Sequence, residues 1–498
     1  MRRPTRTRRL ARPPKAGLFA LLALAVLLTG CTEELLEKEV LGAYDESVFL
    51  GSETDALTAL NAAYAPSNFT VRNDNRRWVL GDVASDDVVT GGDGTQADIL
   101  AVDQFTINPE NTNLLRQWRI GYEAIANANL VLERVPDIDM DEGLRERILA
   151  EAAFLRGYHY FELAIVFGGV PLITSVLSPE ALNVPRASLE ETYEQVERDL
   201  EYAAERLPEQ YDAGEVGRAT RGAALGVLAK AHLYQEDWAA ALDHVDAVKA
   251  IGRYRLLDDF AELFRESGDN NAESIWELQH AANLQPSQGN YLNVWLAPRL
   301  DNGGFGFGLP TQDLLDAFDD DDPRLDVTLG YVGGTWFDGR PYIGDQLYSA
   351  TDISQKKLIQ GGVLGQPRAQ SGLNVTYLRY ADLLLMEAEA AAETGDLQRA
   401  IARVNDVRAR ANNVSPGALE LYELDGRSGG EVLELVYAER RLELAVEMHR
   451  FFDIRRWGLA EQLLAAQGID FDPARDNLFP IPQRELDVND ALRQNPGY

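Results

Sequence analysis

Two segments of this chain repeat one pattern, with matching residues 159 positions apart. Residues 228–251 read LAKAHLYQEDWAAALDHVDAVKAI, and residues 387–409 read EAEAAAETGDLQRAIARVNDVRA. Aligned on their turns, Asp237 meets Asp396, Ala241 meets Ala400, Val245 meets Val404, Val248 meets Val407 and Ala229 meets Ala388. This is the spacing of a tetratricopeptide unit: a helix, a tight turn, and a second helix whose alanine lets the pair pack closely. One such pair cannot bury its apolar face alone, so units must stack on neighbours. Unlike sequence separates the two copies, which predicts an interrupted array and not a plain solenoid.

Residues 146–173, ERILAEAAFLRGYHYFELAIVFGGVPLI, carry a helical period. Ile148, Ala152, Leu155, His159 and Glu162 fall on one side, with Ala153, Gly157, Tyr160 and Ala164 on a neighbouring stripe. Small residues admit a second helix closely and aromatics fill the gaps between layers. Gly168-Gly169 stops the helix and Pro171 prevents its resumption. Nothing in the stretch is a nucleophile, so it reads as packing core. Further helices are predicted after Ser52, which can cap a run carrying Ala56, Leu57, Leu60 and Ala63, over residues 115–135, and over 188–207. The last opens with a Ser188–Glu191 capping box and ends at Pro208.

The amino terminus is a targeting segment. Residues 1–30 hold Arg2, Arg3, Arg6, Arg8, Arg9, Arg12 and Lys15, no acidic residue, and an apolar run from Ala16 to Leu28 that is short for a membrane span. Leu28-Thr29-Gly30-Cys31 resembles the bacterial lipobox, in which the thiol takes the lipid. Cys31 is the only cysteine, so an intrachain disulfide is excluded. Residues 31–498 are therefore the expected mature domain, and loss of seven basic residues takes its formal charge from −33 to −40. That acidity repels phosphate and argues against a nucleic-acid partner.

Two stretches lack helical period. Residues 65–107 contain Asn73-Asp74-Asn75, Asp86-Asp87 and a Gly-rich turn, and read as a long polar loop around Trp78. Residues 268–373 are rich in glycine, proline and aromatics. A sugar offers an apolar CH face that stacks on an aromatic ring, and hydroxyls that need planar polar partners. The two stretches supply both, and the candidate ligand-binding residues are Trp78, Asp86, Asp87, Asn290, Tyr291, Trp295, Trp336 and Tyr342.

Other chemistries are poorly supported. Gly303-Gly304-Phe305-Gly306-Phe307-Gly308 has neither the preceding strand nor the lysine of a phosphate loop. Asp319–Asp322 lack EF-hand spacing, and the five histidines form no HExxH pair, so no metal or cofactor is assigned. No Gly-x-Ser-x-Gly elbow occurs. Glu443 and Glu447, on the stretch ERRLELAVEMHRFFDIRRWG of residues 439–458, are expected to share a helical face with Arg440 and Arg450 and to be ion-paired. A glycosidase instead needs two carboxyls facing across a cleft. No catalytic residue is assigned.

Four motifs, in order, carry a family resemblance. AEAAFLRGYHYFELAIVFGGVPL is similar to the AEARFLRAYYYFxLVxxFGGVPL signature of the SusD/RagB family, and ERRLELAVEMHRFFDIRRWG to its ERRxELAxExxRxxDLxRWG. Tyr377–Asp382 fits its LRYAD pattern, and FPIPQRELDVNDALRQNPGY its closing PIPxxExxxNxxLxQNPGY. The resemblance implies a mostly α fold: a tetratricopeptide-like helix-pair scaffold with a loop-rich ligand-binding side. It further implies a lipid-anchored outer-membrane protein, facing outward, that binds a nutrient and delivers it to a SusC-like TonB-dependent transporter. Glycans are the leading ligand class; peptides or another nutrient, and a secreted glycoside hydrolase, are the alternatives. The matched motifs belong to the scaffold and leave the ligand open.

Overall fold

The computed structural model describes residues 50–498 apart from 93–95, 179–180, 283, 285, 300–303, 337–338, 343, 345–350 and 360–370. The expected targeting segment, residues 1–30, and Cys31 lie outside the described residues. In chain order the main helices are α1 (Glu53–Tyr64), α2 (Thr112–Arg134), α3 (Glu142–Phe167), α4 (Leu189–Arg206), α5 (Arg221–Tyr234), α6 (Trp238–Ala250), α7 (Tyr380–Glu393), α8 (Leu397–Val414), α9 (Gly429–Glu443) and α10 (Arg450–Arg456). The strands are β1 (Val88–Gly91), β2 (Ser274–Leu278), β3 (Phe307–Pro310), β4 (Leu329–Gly330), β5 (Ser354–Gln355) and β6 (Val375–Arg379).

Local chemistry sets most helix ends. Ser52 Oγ accepts the Asp55 N–H at the head of α1, Asp141 caps α3, and capping boxes formed by Ser188 with Glu191 and Ser428 with Glu431 open α4 and α9. Gly168, at φ 78°, ends α3. Helix α3 is the centre of the scaffold. From Ile148 onward nearly every residue is buried, because α2 packs on one flank and α4 on the other while α1 covers a third.

The two related hairpins, α5–α6 and α7–α8, meet in space. Helix α7 packs on α6, so copies far apart in sequence are adjacent units of one array. Asp237 and Asp396 cap α6 and α8 in matching conformations, with φ/ψ of −82°/74° and −83°/67°. The intervening insertion leaves on β2 and returns on β6, and those strands pair antiparallel, with Ser274 opposite Arg379 and Leu278 opposite Val375. A paired exit and entry lets a long insertion interrupt the array without separating its units.

Residues 65–107 are not the polar loop read from the sequence. They form a π-helical turn at Val79–Val83, strand β1, and a short helix at Ala97–Asp103, with Trp78, Val79, Leu80, Val83 and Val88 in the main core. Elements this short hide from a periodicity search. β1 pairs with β3, which joins the first insertion to the second.

A second correction concerns residues 439–458. The expected continuous helix breaks after Glu443, and α10 starts only at Arg450. Val446 and Met448 in the connection take left-handed backbone, with φ 57° and 68°, a conformation costly for a β-branched residue such as Val446. Gly81 lies against this connection. A Cβ there would stand 2.3 Å from the Met448 carbonyl oxygen, so only glycine permits the approach.

Candidate functional site

The predicted site residues separate into four groups. Asp86 and Asp87 are buried, and both face the carboxyl-terminal part of the chain. Asp86 takes a bidentate pair from Arg450, at 2.8 and 2.7 Å, while Asp87 pairs with Arg441 at 2.6 Å. Burial pushes the Asp86 carboxyl up, but Arg450 and Arg441 hold it below its usual value. Carboxylates so engaged are scaffold, because binding a sugar hydroxyl would mean giving up a buried ion pair.

Asn290 is fully buried. Its Nδ2 donates to the Leu373 carbonyl at 3.0 Å and its Oδ1 accepts the Leu292 N–H at 2.9 Å, which pins the start of the site to the far end of the insertion. Trp336 and Tyr342 are also buried. Their rings lie 5.4 Å apart against Gly330, and the Tyr342 hydroxyl bonds Ser354 at 2.6 Å, making a small core around β4 and β5. Neither ring offers an open face. The expectation that these residues line a sugar platform is corrected by that packing.

Trp78, Tyr291 and Trp295 do come together. Trp78 is 1 % exposed and forms the floor, 6.2 Å from Trp295 and 6.4 Å from Phe307. Trp295 and Tyr291 are half-buried, packed edge to face at 5.9 Å, and Phe305 lies 5.3 Å from Trp295. The backbone holds the group in place: Tyr291 N–H donates to the Phe69 carbonyl at 2.7 Å, and Phe305 N–H to the Val294 carbonyl at 2.7 Å.

Arg76 completes this cluster and was not singled out from the sequence. Its guanidinium carbon sits 4.1 Å from the Trp295 ring centroid, a cation–π contact. One Arg76 nitrogen pairs with Asp74 at 2.8 Å, and Arg116 reaches the same carboxylate. Burial pulls the Arg76 guanidinium down, opposed by Asp74. Arg76 Nε and Nη1 and the Trp295 indole N–H are buried donors with no acceptor among the described residues. In the sequence Arg76 stood in a polar run, and its only signal was proximity to Trp78.

Glu443 and Glu447 sit in a separate, closed network. Glu443 accepts from Arg379 at 2.5 Å, from Arg324 at 3.0 Å, and from Arg410. Glu447 accepts from Arg379 and Lys357, both at 2.8 Å. Glu439 and Glu273 supply further carboxylates to Arg324 and Arg379. The ion pairing expected for Glu443 and Glu447 is present, but with partners from other segments: Arg440 pairs with Asp382 and Asp453, and Arg450 with Asp86. Burial pushes the Glu443 carboxyl up, yet Arg410, Arg379, Arg324 and Lys357 hold it well below the usual carboxylate range. A carboxyl held ionised cannot serve as a general acid. In the tetra-Asp run, Asp322 is buried against Arg324 at 2.8 Å. No group of His, Cys, Asp and Glu side chains among the described residues could hold a metal ion.

Comparison with known proteins bears directly on this architecture. The SusD family model matches residues 272–498, and a second model, described as starch-binding associating with outer membrane, matches residues 53–233. A solved laminarin binding SusD-like protein is 31% identical, superposes with a TM-score of 0.78, and covers 90% of this chain and 100% of its own. This chain belongs to the SusD family. A solved SusD superfamily protein from Bacteroides vulgatus is similar to the same extent, with 28% identity and a TM-score of 0.79 over 90% of this chain and 100% of that one. SusD-like protein P2 of Formosa agariphila is 28% identical over 96% of this chain and 98% of its own length. SusD family membership accounts for the helix-pair scaffold interrupted by insertions, and it indicates association with the outer membrane. Solved members of the family include carbohydrate-binding proteins, the laminarin binding one among them.

Proposed function

We propose that this SusD family member is an outer-membrane lipoprotein, tethered by lipid on Cys31 after loss of residues 1–30, that captures a glycan outside the cell. It passes the glycan to a SusC-like TonB-dependent transporter, which docks on the helix-pair side. The observation that carries this reading is the half-buried Tyr291–Trp295 pair braced by Arg76. Aromatic rings held edge to face supply a surface for the CH face of a sugar, and the Arg76 guanidinium on the Trp295 ring holds that pair in place. The name of the laminarin-binding relative makes laminarin the first glycan to try. The low-lying Glu443 carboxyl supports binding without hydrolysis.

The test uses protein lacking residues 1–31, titrated against a glycan panel that includes laminarin, with a peptide array alongside. The expected result is glycan binding that falls by about tenfold or more in Trp295→Ala, with no shortened product on chromatography. Binding confined to peptides, or turnover of a bound glycan, overturns the reading. In cells, Cys31→Ser is expected to move the protein out of the membrane fraction and to lose co-purification with a TonB-dependent barrel.

A further inference from the structure

We infer that a second sugar-binding cleft lies between the end of α1 and the base of the second insertion, and that it takes an uncharged sugar unit of a longer glycan. The inference rests on the glycan reading above and assigns a further contact to it. The cleft has a volume of about 410 Å³, within the range of small-ligand sites. One wall is Asn61, Tyr64 and Asn68, the other Gln279 and Gln288, and the loop at residues 214–218 closes the end.

The walls are rigid. Gly217 takes φ 97°, and a Cβ there would stand 2.3 Å from Gln279 Cγ, so the loop lies flat on that side chain. Gln279 is locked in turn: its Nε2 donates to Asn270 Oδ1 at 2.9 Å, and its Oε1 accepts from Asn374 Nδ2 at 3.0 Å. The amides of Asn68 and Gln288 make no side-chain hydrogen bond to a described residue, and Asn61 uses only its oxygen, toward Arg218 at 3.2 Å. Amides carry a donor and an acceptor in one plane, which matches adjacent sugar hydroxyls. Between them lie Leu278 and Val216, the latter 46% exposed, an apolar strip for a CH face. Trp276 also lines the cleft, and its buried indole N–H has no acceptor among the described residues.

Charge selects against an ionic ligand. Arg218 is matched by Glu151 at 3.1 Å and Glu215 at 3.3 Å, and Glu215 also pairs with Arg147 at 2.7 Å. No positive charge is left over for a sulfate or a uronate, and the Glu277 carboxyl that also lines the cleft is held by the Asn270 N–H and Asn374 Nδ2, both at 2.9 Å. The cleft is also tied to the Tyr291–Trp295 pair. Asn68 precedes Phe69, whose N–H donates to His280 Nε2 at 3.1 Å and whose carbonyl accepts the Tyr291 N–H at 2.7 Å. A glycan stacked on Tyr291 and Trp295 therefore has a second, amide-lined surface beside the same backbone segment.

The experiment is calorimetric titration of the mature protein with laminarihexaose, cellohexaose, maltohexaose, xylohexaose and mannohexaose. Wild type, Trp295→Ala, the double variant Asn68→Ala/Gln288→Ala, and Asn68→Trp, which fills the cleft, are compared. Both cleft variants change side chains at partly or fully exposed positions, and circular dichroism checks that they fold. The expected result is that the best-bound hexasaccharide loses about tenfold in affinity in each cleft variant. Wild-type affinity in both cleft variants, with binding lost in Trp295→Ala, overturns the cleft and leaves the proposed function in place. Failure of wild type to bind every hexasaccharide overturns both.

Discussion

Glu236 occupies in the first helix pair the turn position that Gly395 occupies in the second, and both take left-handed backbone, with φ 59° and 87°. The equivalence follows from the caps one residue later, Asp237 and Asp396, whose side chains accept N–H groups from Ala240 at 3.2 Å and Arg399 at 3.1 Å. A non-glycine residue pays for that conformation in steric strain of about 1–2 kcal/mol. Glu236→Gly is therefore expected to stabilise the protein, by about 0.5–1 kcal/mol after the entropy gained by the unfolded chain is set against the relief. The measurement is the urea midpoint at unchanged slope, and a lowered midpoint would show that the Glu236 side chain has a role of its own.

Arg379 joins β6 to the segment after α9 through five hydrogen bonds to Glu273, Glu443 and Glu447. Removing one partner of a buried pair leaves an uncompensated charge. Arg379→Met is expected to cost about 3–5 kcal/mol, and Glu443→Gln a similar amount. The double variant should be less damaged than the two losses added together, with a coupling of about 1 kcal/mol or more. Strict additivity in denaturant melts would count against one connected network.

Asp82 is buried, and its Oδ1 accepts the Met448 N–H at 2.9 Å while its Oδ2 has no partner among the described residues. Burial raises its pKa from 3.8 to about 8. A carboxyl with a raised folded pKa favours the fold below the unfolded value, and that advantage is lost as pH rises through the folded value. Asp82→Asn keeps the acceptor for Met448 and cannot ionise. Its stability relative to wild type is expected to be flat below pH 3.8, to rise between there and about pH 8, and to level off above. Thermal melts across this range decide it; a pH-independent difference would mean that the Asp82 carboxyl titrates alike in the folded and unfolded chains.

Gly81→Ala places a methyl group against the Met448 backbone carbonyl. Overpacking of this kind costs about 1–3 kcal/mol. Shortening the neighbour in Gly81→Ala/Met448→Ala should give no rescue, because the clash is with main chain, and recovery of the wild-type midpoint would disprove the contact.

What the sequence reading recovered was set by neighbours in the chain. The caps at Ser52, Ser188, Asp237 and Asp396, the stop at Gly168, and the alanine and valine spacing of the two hairpins all act within a few residues, so a linear reading finds them. Among the site candidates, Trp78, Tyr291 and Trp295 were singled out because they are large aromatics in segments without helical period, and the fold gathers these three. Which of them keeps an accessible ring was not legible. Trp78 follows Arg76-Arg77 while Trp295 lies between Val294 and Leu296, yet it is Trp78 that is covered, by Trp295 and Phe307, and only the tertiary fold brings those rings together.

The acidic residues show the same division. Asp86 and Asp87 resemble ligand-binding carboxylates in the chain as written, since nothing nearby neutralises them. Their partners, Arg450 and Arg441, arrive from 364 and 354 residues away, and burial at that junction turns them into scaffold. The break after Glu443 has a related cause: a helical pattern runs through residues 439–458, but the chain leaves it where Gly81 and Asp82 grip the Met448 backbone. By itself the sequence determined the helix pairs, their caps and the family they belong to, because those depend on contacts a few residues long. The tertiary structure decided which polar groups are neutralised and which rings stay open, because burial and charge balance depend on segments that meet only in the folded molecule.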